Sequence, residues 1–574
     1  MNYWITFIYL LFTFSSAQDL NWWQTGAVYQ IYPRSFQDSD GDGVGDLKGI
    51  TSRLDYLVDI GVNTIWLSPI FKSPMADFGY DISDFLAIDP IFGTIEDYDE
   101  LVREMKARDM HLVLDFVPNH SSNQHEWFQK SINMDPQYSD YYVWKDPIGY
   151  DADGNPIPPN NWLSFFGFSA WEWNEQRNQF YLHQFLKEQP DLNYRNPLVI
   201  QELKEIINFW LEKGADGFRI DAVIFLFEDP EFRDEPPSGN PNFGPDEYDS
   251  LLHIYTRNYN ETYDVMRELR VVVDDFPSDV SKLILLEAYE SIDLVMRYYG
   301  TAEEPIADLP FNFEYLLRFE DEVVTGTRIK DAADLWLDNM PEGKWANWVT
   351  GNHDRSRIAS KVDPRLVDGV NMINLLMPGT PITYYGEEIG MINTFISYED
   401  TQDPFGCNFG PDMYEKYSRD PERTPMQWDS SVNSGFSTAE KPWLPLNPNY
   451  LEVNVENQLM AEESHLKIYK EIINLRKELA IQTGELQYLN VDESLFSFMR
   501  VTDNPTNQNY MVLVNFGETD SVVDVSANSL VPPVATVVIK SLSSTVTVGS
   551  VLQTSAIPLG PKDSLVLSFN SNNP

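Results

Sequence analysis

Four short segments of the sequence carry polar side chains directly after apolar runs. They are 115–120 (DFVPNH), 217–222 (GFRIDA), 286–288 (LEA) and 351–354 (GNHD). The runs have the composition of buried strands, and the local structure does not require the polar residues at their ends. Together the segments supply carboxylates beside arginine and histidine, the residue types that serve nucleophilic and general acid–base catalysis. They are the candidate active-site segments of the chain.

Two of the carboxylates have surroundings that suit opposite roles. Asp221 closes an apolar run two residues after Arg219. Side chains two apart on a strand share a face, so we expect Arg219 to hold Asp221 ionised. Glu287 follows the apolar run 283–286, and an apolar setting keeps a carboxyl group protonated to higher pH, as a general acid requires. The pair therefore predicts a nucleophile, Asp221, and a general acid/base, Glu287.

The elements that must position these residues alternate between strand-like and helical patterns. Predicted strands cover 27–32, 64–67 and 112–116, and later ones end at Asp221, Glu287, Thr350 and Tyr385, with the sixth near 309–311. Helical patterns such as 50–60 and 95–108 separate them. This alternation predicts an α/β protein with a parallel sheet, and eight such units make a (β/α)₈ TIM barrel. The candidate residues would then meet at the carboxyl ends of the barrel strands.

Two regions depart from the alternation. Residues 119–192 are rich in Trp, Asn, Pro and Gly, which predicts an inserted lobe after the third strand. Residues 492–574 show alternating apolar runs, which predict a C-terminal antiparallel β-sandwich domain. The predicted barrel occupies 18–118 and 193–491.

Composition limits the partners and the location. The 574 residues carry a formal net charge of −49, which disfavours nucleic acid and anionic membranes as partners. The apolar run 3–14 precedes small residues, so 1–17 is expected to be a signal peptide of a secreted, extracellular protein without an integral membrane segment. Cys407 is the single cysteine, and Asn260 begins a glycosylation sequon. Oligomeric state is left open.

The order and content of the four segments resemble the α-amylase superfamily of glycoside hydrolases. The flanking sequence resembles the insect maltases (α-glucosidases), and QPDLN at 189–193 resembles the marker of the oligo-1,6-glucosidase-like subfamily. The resemblance implies a retaining, exo-acting α-glucosidase. Its expected substrates are small oligosaccharides: maltose, malto-oligosaccharides and sucrose, cleaved through a glucosyl-enzyme intermediate on Asp221.

The resemblance also assigns individual residues. It implies Asp221, Glu287 and Asp354 as catalytic residues, and Asp77, Tyr80, His120, Arg219, His353 and Arg423 as substrate-binding residues. Asp115 is expected to orient its neighbours. One arginine of the segment 418–428 would pair with Asp77 and block longer chains; Arg423 is favoured, with Arg419 as the alternative.

An acidic, glycine-rich loop follows the first predicted strand. Its carboxylates alternate with glycines, as in oxygen-rich loops that bind Ca²⁺. The loop opens like an EF-hand, but its twelfth position is Gly49 and a strand precedes it. In relatives such a loop binds a structural Ca²⁺ ion, and the corresponding ligands here are Asp38, Asp40, Asp42 and Asp46 with the carbonyl of Val44. A glycine-rich turn without metal is the alternative.

Three alternatives remain open from the sequence. A transglucosidase or a sucrose-isomerising enzyme would use the same intermediate. A non-catalytic binding protein would resemble the amino-acid transporter heavy chains, which have this barrel without its catalytic residues and carry a membrane helix.

Ala222, directly after the nucleophile candidate, favours α-1,4 over α-1,6 linkages by resemblance. Arg355 departs from the smaller amide residue of many relatives and is expected to affect acceptor preference.

Overall fold

A computed structural model of the chain describes residues 20–320, 323–502, 504 and 507–570. The segment predicted as a signal peptide, 1–17, lies outside the described residues. Within the described part, no helix combines the length and the apolar character needed to cross a membrane.

Eight parallel strands form the central sheet, as the sequence predicts. They are β1 Val28–Ile31, β2 Thr64–Leu67, β3 His111–Phe116, β4 Gly217–Ile220, β5 Leu283–Leu286, β6 Leu309–Pro310, β7 Asn347–Val349 and β8 Thr380–Tyr384. Their order is β6-β5-β4-β3-β2-β1-β8-β7, which is the sequential order of a barrel opened at one seam. The prediction of a (β/α)₈ barrel is confirmed. The polar segments consequently leave the sheet at one end, where strands β3, β4, β5 and β7 finish.

The longer helices around the sheet form for reasons visible in the sequence. They include Leu47–Ser52, Leu54–Asp59, Ile95–Lys106, Pro197–Glu212, Asn260–Asp275, Gly326–Asn339, Val367–Leu376 and His465–Leu475. In Ile95–Lys106 the side chains of Thr94 and Asp97 form a reciprocal capping box, and the buried residues recur at helical spacing from Tyr98 to Met105. The buried residues of this helix belong to the main apolar cluster, which also contains side chains of β2 and β3, so the helix covers these two strands.

The seam between β6 and β7 is bridged by one side chain. The Nδ2 group of Asn347 donates to the carbonyl of Pro310 at 2.6 Å, and its Oδ1 accepts from the backbone N–H of Asn312 at 2.9 Å. Pro310 has no N–H to donate to a ladder, so a backbone pairing cannot be completed at this position. The fully buried Asn347 therefore supplies both polar partners across the seam.

The lobe inserted between β3 and the helix Pro197–Glu212 has its own small sheet. Strands Trp144–Lys145, Trp171–Asn174 and Gln179–Leu182 are antiparallel, and Trp162, Trp171 and Phe180 belong to an apolar cluster beside them. Isolated bridges between His120 and Asp191 and between Tyr142 and Leu192 tie the two ends of the lobe together. The lobe thus stands over the carboxyl end of β3.

The C-terminal region is an antiparallel two-layer domain. Its larger sheet contains Glu485–Val491, Leu495–Val501, Asn509–Asn515, Val534–Lys540, Val551–Gln553 and Ser564–Phe569; its smaller sheet pairs Ser521–Val523 with Ile557–Leu559. Leu495–Val501 is buried along its whole length. One face of that strand packs in the domain's own core with Val523, and the other, through Phe496 and Phe498, joins the barrel core. The predicted C-terminal β domain is confirmed.

Candidate active site

The barrel sheet places Asp221 and Glu287 side by side. The backbone N–H of Asp221 donates to the carbonyl of Phe116 at 2.9 Å, and that of Glu287 donates to Ile220 at 3.0 Å. Both bonds continue the parallel ladder by one residue beyond the strand ends. Because neighbouring strands end at the same level, the two carboxyl groups meet above the sheet.

Arg219 connects these carboxyl groups. Its Nη1 lies 2.6 Å from Oδ1 of Asp221, and its Nη2 lies 2.9 Å from Oε2 of Glu287. The same Nη1 donates to both oxygens of Asp115, at 2.9 and 3.1 Å. The Arg219 side chain is only 1% exposed, so these pairs are shielded from solvent and their attraction is strong. One buried guanidinium therefore fixes three carboxylates that the sequence places on three strands.

The charge state of this group follows from burial and crowding. Burial raises the pKa of Asp221 well above its usual range, and the negative charges of Glu287 and Asp115 add to the effect, while Arg219 opposes it. Burial likewise raises the pKa of Asp115 to about 6 against the attraction of Arg219. Asp221 and Glu287 are also within hydrogen-bonding reach of each other. The attraction of Arg219 therefore does not outweigh the burial of Asp221, contrary to the expectation that Arg219 alone holds this carboxyl group ionised.

The residue after Asp221 shapes the same site through its backbone. Ala222 has φ 50° and ψ 31°, a left-handed conformation that L-residues adopt at a cost. In this conformation its N–H points at Glu287 and donates to Oε2 at 3.1 Å. The turn therefore ends β4 and adds a second donor to the carboxyl group of Glu287.

His353 belongs to a chain of buried hydrogen bonds. Nε2 of Gln30 donates to Nδ1 of the ring at 2.8 Å, which leaves the proton of the neutral imidazole on Nε2, 2.6 Å from the hydroxyl of Tyr80. That hydroxyl also donates to Oδ2 of Asp115 at 3.2 Å. Burial lowers the pKa of His353 well below its usual value, so the ring is neutral. The Tyr80 and His353 rings are nearly parallel, with centroids 5.4 Å apart.

Asp354 is held ionised by two arginines. Its Oδ1 lies 2.8 Å from Nη2 of Arg423 and 3.1 Å from Nη1 of Arg419. Burial opposes ionisation, but the charges of Arg419 and Arg423 lower the pKa of Asp354 well below its ordinary value. Nε of Arg423 also donates to the carbonyl of His353 at 2.6 Å. Arg423 therefore fixes both the backbone and the carboxylate of this segment.

The partner of Asp77 is Arg419, and the expectation that Arg423 fills this role is wrong. Nη2 of Arg419 lies 3.0 Å from Oδ1 of Asp77, whereas Arg423 turns to Asp354. The reason is positional: Arg419 precedes the short helix Asp420–Glu422 and Arg423 follows it, so their side chains approach Asp354 from different sides. Burial raises the pKa of Asp77 to about 6, against the attraction of Arg419.

Asp403 is a site residue that sequence reasoning missed. It accepts from Nε of Arg419 at 3.0 Å and from Nη2 at 2.7 Å, and it is fully buried. In the sequence Asp403 precedes Pro404 and has the pattern of a helix cap, a role it also fulfils for Pro404–Phe409. No local signal distinguishes it from an ordinary cap.

The remaining predicted residues surround one cavity of 760 Å³. Its lining includes Asp77, Tyr80, His120, Asp221, Glu287, His353 and Asp354, together with Arg419 and Phe166. His120 lies beside Gln189, whose Nε2 is 3.1 Å from Nε2 of the ring and 3.1 Å from Oδ2 of Asp77. A cavity of this size, with aromatic walls and convergent polar groups, suits a small polar ligand.

Arg219 and Arg423 do not border this cavity. Each side chain is 1% exposed and lies behind the carboxylates that it binds. The expectation that these two arginines bind substrate directly is therefore corrected. Both hold acidic residues of the wall in position, whereas Arg419 borders the cavity itself.

The acidic loop after β1 brings part of its predicted metal-ligand set together. The carboxylates of Asp38, Asp40 and Asp42 offer oxygens within 4.8 Å of one another. Asp46 is not part of this cluster: its Oδ1 accepts from the N–H of Gly49 and caps the helix Leu47–Ser52, and its Oδ2 accepts from the N–H of Ser39. Asp38 also accepts from the N–H groups of Gly41 and Gly43, so it serves the loop as well. Hard carboxylate oxygens on a loop match the donors that Ca²⁺ takes, so the first three residues fit this ion.

Comparisons with known proteins agree with this geometry. Residues 30–484 match the family model described as alpha amylase, catalytic domain. The chain is 45% identical over 563 residues to Maltase 1 of Drosophila virilis, covering 96% of this chain and 88% of that protein. It is 47% identical over 517 residues to the salivary alpha-glucosidase of Anopheles gambiae, covering 89% and 86%.

A solved structure extends the similarity to the whole fold. The trehalulose synthase MutB of Pseudomonas mesoacidophila MX-45 superposes with a TM-score of 0.82 at 31% identity, covering 96% of this chain and all of that one. The family model spans most of the chain, and the matched structure covers 96% of it, so the structural similarity includes both the barrel and the β domain. The chain therefore belongs to the α-amylase family of glycoside hydrolases and groups with the maltases and α-glucosidases of insects.

Proposed function

We propose that the protein is a retaining, exo-acting α-glucosidase that releases terminal non-reducing glucose from α-1,4-linked maltose and malto-oligosaccharides, and from sucrose. The observation that carries the proposal is the bridge made by Arg219 between Asp221 and Glu287. The two carboxyl groups also lie within hydrogen-bonding reach of each other, nearer than the roughly 6.5–9.5 Å that inverting enzymes leave for water. This closeness supports a double displacement with retention.

In the first step Asp221 attacks the anomeric carbon of the terminal glucose. The bond from that carbon to the glycosidic oxygen breaks, and Glu287 gives its proton to the departing oxygen. The glucosyl-enzyme ester forms on Asp221. In the second step Glu287 takes a proton from water, whose oxygen attacks the same carbon and releases Asp221. Arg219, which bridges both groups, is proposed to stabilise the carboxylate of Asp221 when it acts as the nucleophile.

Asp354 and Tyr80 are proposed to bind the terminal glucose. Asp354, kept ionised by Arg419 and Arg423, accepts hydrogen bonds from ring hydroxyls and favours distortion toward the positively charged transition state. Tyr80 borders the cavity and presents its ring to the sugar. Asp77 and His120 border the same end of the cavity and are proposed to bind the remaining hydroxyls.

The exo mode of action is proposed to come from the wall around Arg419. This side chain is tied at once to Asp77, Asp354 and Asp403, and its guanidinium lies 5.0 Å from the ring centroid of Phe166. Four simultaneous contacts immobilise a bulky cation behind the position of the terminal glucose. A longer chain would have to displace it, so cleavage begins at the chain end.

Secretion and a structural Ca²⁺ ion belong to the same proposal. The salivary relative supports an extracellular location. Asp38, Asp40 and Asp42 would hold the ion, whose charge would neutralise three carboxylates in one loop. The ion would stabilise the loop that joins β1 to the helix Leu47–Ser52.

The experiment that tests the function measures glucose release from maltose, sucrose, isomaltose and p-nitrophenyl α-glucoside. The wild-type chain is compared with Asp221→Ala and with Asp363→Ala, a change at an ion pair outside the cavity. Loss of activity in the first variant alone supports the proposal. A folded wild-type chain that cleaves none of the four would instead favour a binding protein. A preference for isomaltose would contradict the linkage inferred from Ala222.

A transglucosidase or sucrose-isomerising enzyme is the second candidate, because the fold is also that of a trehalulose synthase. The ester on Asp221 reacts with a sugar hydroxyl by the same route as with water. Chromatography of the products from sucrose separates the candidates: hydrolysis yields free glucose and fructose, whereas isomerisation yields a new disaccharide.

A further inference from the structure

The turn after β7 presents two neighbouring side chains to different parts of the cavity. Asp354 turns to Arg419 and Arg423, as described above. Arg355 turns to Tyr289 and Glu320, and it also borders the cavity. The turn itself is fixed, since Asn352 and Arg355 form a backbone bridge and Oδ1 of Asn352 accepts from the N–H of Asp354. The position of Arg355 is therefore coupled to that of Asp354.

Arg355 rests on a rigid aromatic support. Its guanidinium lies 5.0 Å from the ring centroid of Tyr289, and that ring also stacks on Phe313 with centroids 3.9 Å apart. The hydroxyl of Tyr289 accepts from Nδ2 of Asn352 at 3.0 Å. Tyr289 follows Glu287 by two residues, so the support is connected to the proposed acid/base as well as to the turn.

Glu320 links Arg355 to a second cation. Its Oε2 lies 3.3 Å from Nη1 of Arg355, and its Oε1 lies 3.5 Å from Nζ of Lys361. The Lys361 side chain is 5% exposed. Its ammonium forms this ion pair, but it donates no hydrogen bond to any of the described residues. The Arg355 side chain is 37% exposed, and it pairs with Glu320 through Nη1. This corner of the cavity thus offers guanidinium and ammonium donors beside a carboxylate acceptor, which is a pattern that suits sugar hydroxyls.

The corner lies where the departing sugar must be. Arg419 and Asp77 occupy the wall proposed to enclose the terminal glucose, and Glu287 faces the bond to be cleaved. Tyr289 and Arg355 border the same cavity as Glu287, and none of their described contacts is with Asp77 or Arg419. A sugar released from protonation by Glu287, or one that returns as acceptor, must therefore pass or occupy this corner.

We propose that Arg355, supported by Tyr289 and Glu320, binds the sugar on the leaving-group side and makes the enzyme favour a sugar over water as acceptor. The inference rests on the proposed function. In the transfer step the C1–O bond to Asp221 breaks, a new C1–O bond forms to the hydroxyl of the bound sugar, and the proton of that hydroxyl passes to Glu287. Arg355 takes no part in the proton transfer; it holds the acceptor in line and displaces water.

The test compares two substrates that differ only on the leaving-group side. Maltose places a second glucose at Arg355, whereas α-glucosyl fluoride places a single atom there. For Arg355→Ala, kcat/KM on maltose is expected to fall about tenfold more than kcat/KM on α-glucosyl fluoride, as loss of a charged hydrogen bond predicts. At high maltose concentration the ratio of trisaccharide to glucose is expected to fall by a similar factor. Glu320→Gln is expected to move both readouts in the same direction.

Arg365→Ala is the matched control, because Arg365 forms an ion pair with Asp363 at 2.6 Å on a surface outside the cavity. An equal loss on both substrates in Arg355→Ala, or no loss on either, would overturn the inference, as would an unchanged trisaccharide ratio. If the wild-type chain cleaves neither maltose nor α-glucosyl fluoride, the proposed function itself fails and the inference falls with it. Thermal unfolding of each variant verifies that the protein is folded.

Discussion

Arg419 binds Asp403 through two parallel hydrogen bonds, from Nε to Oδ2 at 3.0 Å and from Nη2 to Oδ1 at 2.7 Å. Burial alone would raise the pKa of Asp403, but Arg419 keeps it below its ordinary value. This two-point pair fixes the plane of the guanidinium, and the remaining donors then face Asp77 and Asp354. The wall proposed to select the terminal glucose therefore depends on a residue that lies behind it.

Asp403→Asn should weaken that wall without unfolding the helix that Asp403 caps, since Asn is an equally good N-cap. Loss of a charged hydrogen-bond partner predicts that kcat/KM on maltose falls about tenfold or more. Asp363→Asn is the control, because Asp363 also precedes a proline, caps a helix and pairs with an arginine, but outside the cavity. Equal activity of the two variants would show that Asp403 does not position Arg419.

Protonation of Asp77 should weaken substrate binding at acidic pH. Its pKa is raised to about 6 by burial, so below pH 6 it becomes protonated and its ion pair with Arg419 is lost. KM for maltose is therefore expected to rise about tenfold between pH 7 and pH 5, as one protonation near pH 6 requires. Steady-state kinetics over this range measures the effect. Asp77→Asn should have a high KM for maltose that no longer changes with pH. If KM of this variant still rises between pH 7 and pH 5 as in the wild type, the pH dependence comes from another group.

Glu287→Gln should separate the two chemical steps. Because the variant has no proton to give, its kcat on maltose is expected to fall about 10²–10⁴-fold. p-Nitrophenolate leaves without protonation, so the first step on that substrate should survive while the second, which needs a base, is slow. Stopped-flow measurement should then show a burst of p-nitrophenolate. Glu314→Gln, at a surface pair with Arg318, serves as the control. Equal losses on both substrates without a burst would argue against Glu287 as the acid/base.

Asn347→Ala should open the seam between β6 and β7. It removes the partners of the Pro310 carbonyl and the Asn312 N–H, both in the buried barrel. Two buried groups left unpaired should lower the free energy of unfolding by about 3 kcal/mol. Denaturant unfolding measures the change against Asn339→Ala, an exposed asparagine at a helix end. A loss no greater than that of the control would mean that the seam is closed by other contacts.

Removal of divalent cations should destabilise the acidic loop after β1. An ion that binds only the folded chain contributes about 2.7 kcal/mol at a concentration of one hundred times Kd. Chelation is therefore expected to lower the Tm of the wild-type protein, and added Ca²⁺ should restore it. The double variant Asp40→Asn, Asp42→Asn should not respond, whereas Asp153→Asn, an exposed acid of the inserted lobe, should respond as wild type does. A Tm that is unchanged by chelation in the wild type would contradict the calcium proposal.

Much of the fold and part of the site follow from local sequence. Strand β5 is an apolar run with Glu287 at its end, and β4 ends likewise at Asp221. Such patterns are set by residues adjacent in the chain, because burial of a strand requires a continuous apolar run and the barrel puts every such end on one face. Asp221, Glu287 and Asp354 could therefore be placed at one site from the sequence alone.

Tertiary structure decided which side chains meet within that site. Arg419 and Arg423 lie four positions apart, and nothing local determines which one reaches Asp77, more than three hundred residues away. Asp403 has the sequence of a helix cap, and its second role appears only when Arg419 folds against it. Side-chain pairing depends on the direction in which each segment enters the cavity, and that direction results from the packing of the whole chain. The sequence determined the barrel and its reactive carboxylates; long-range packing alone decided their partners.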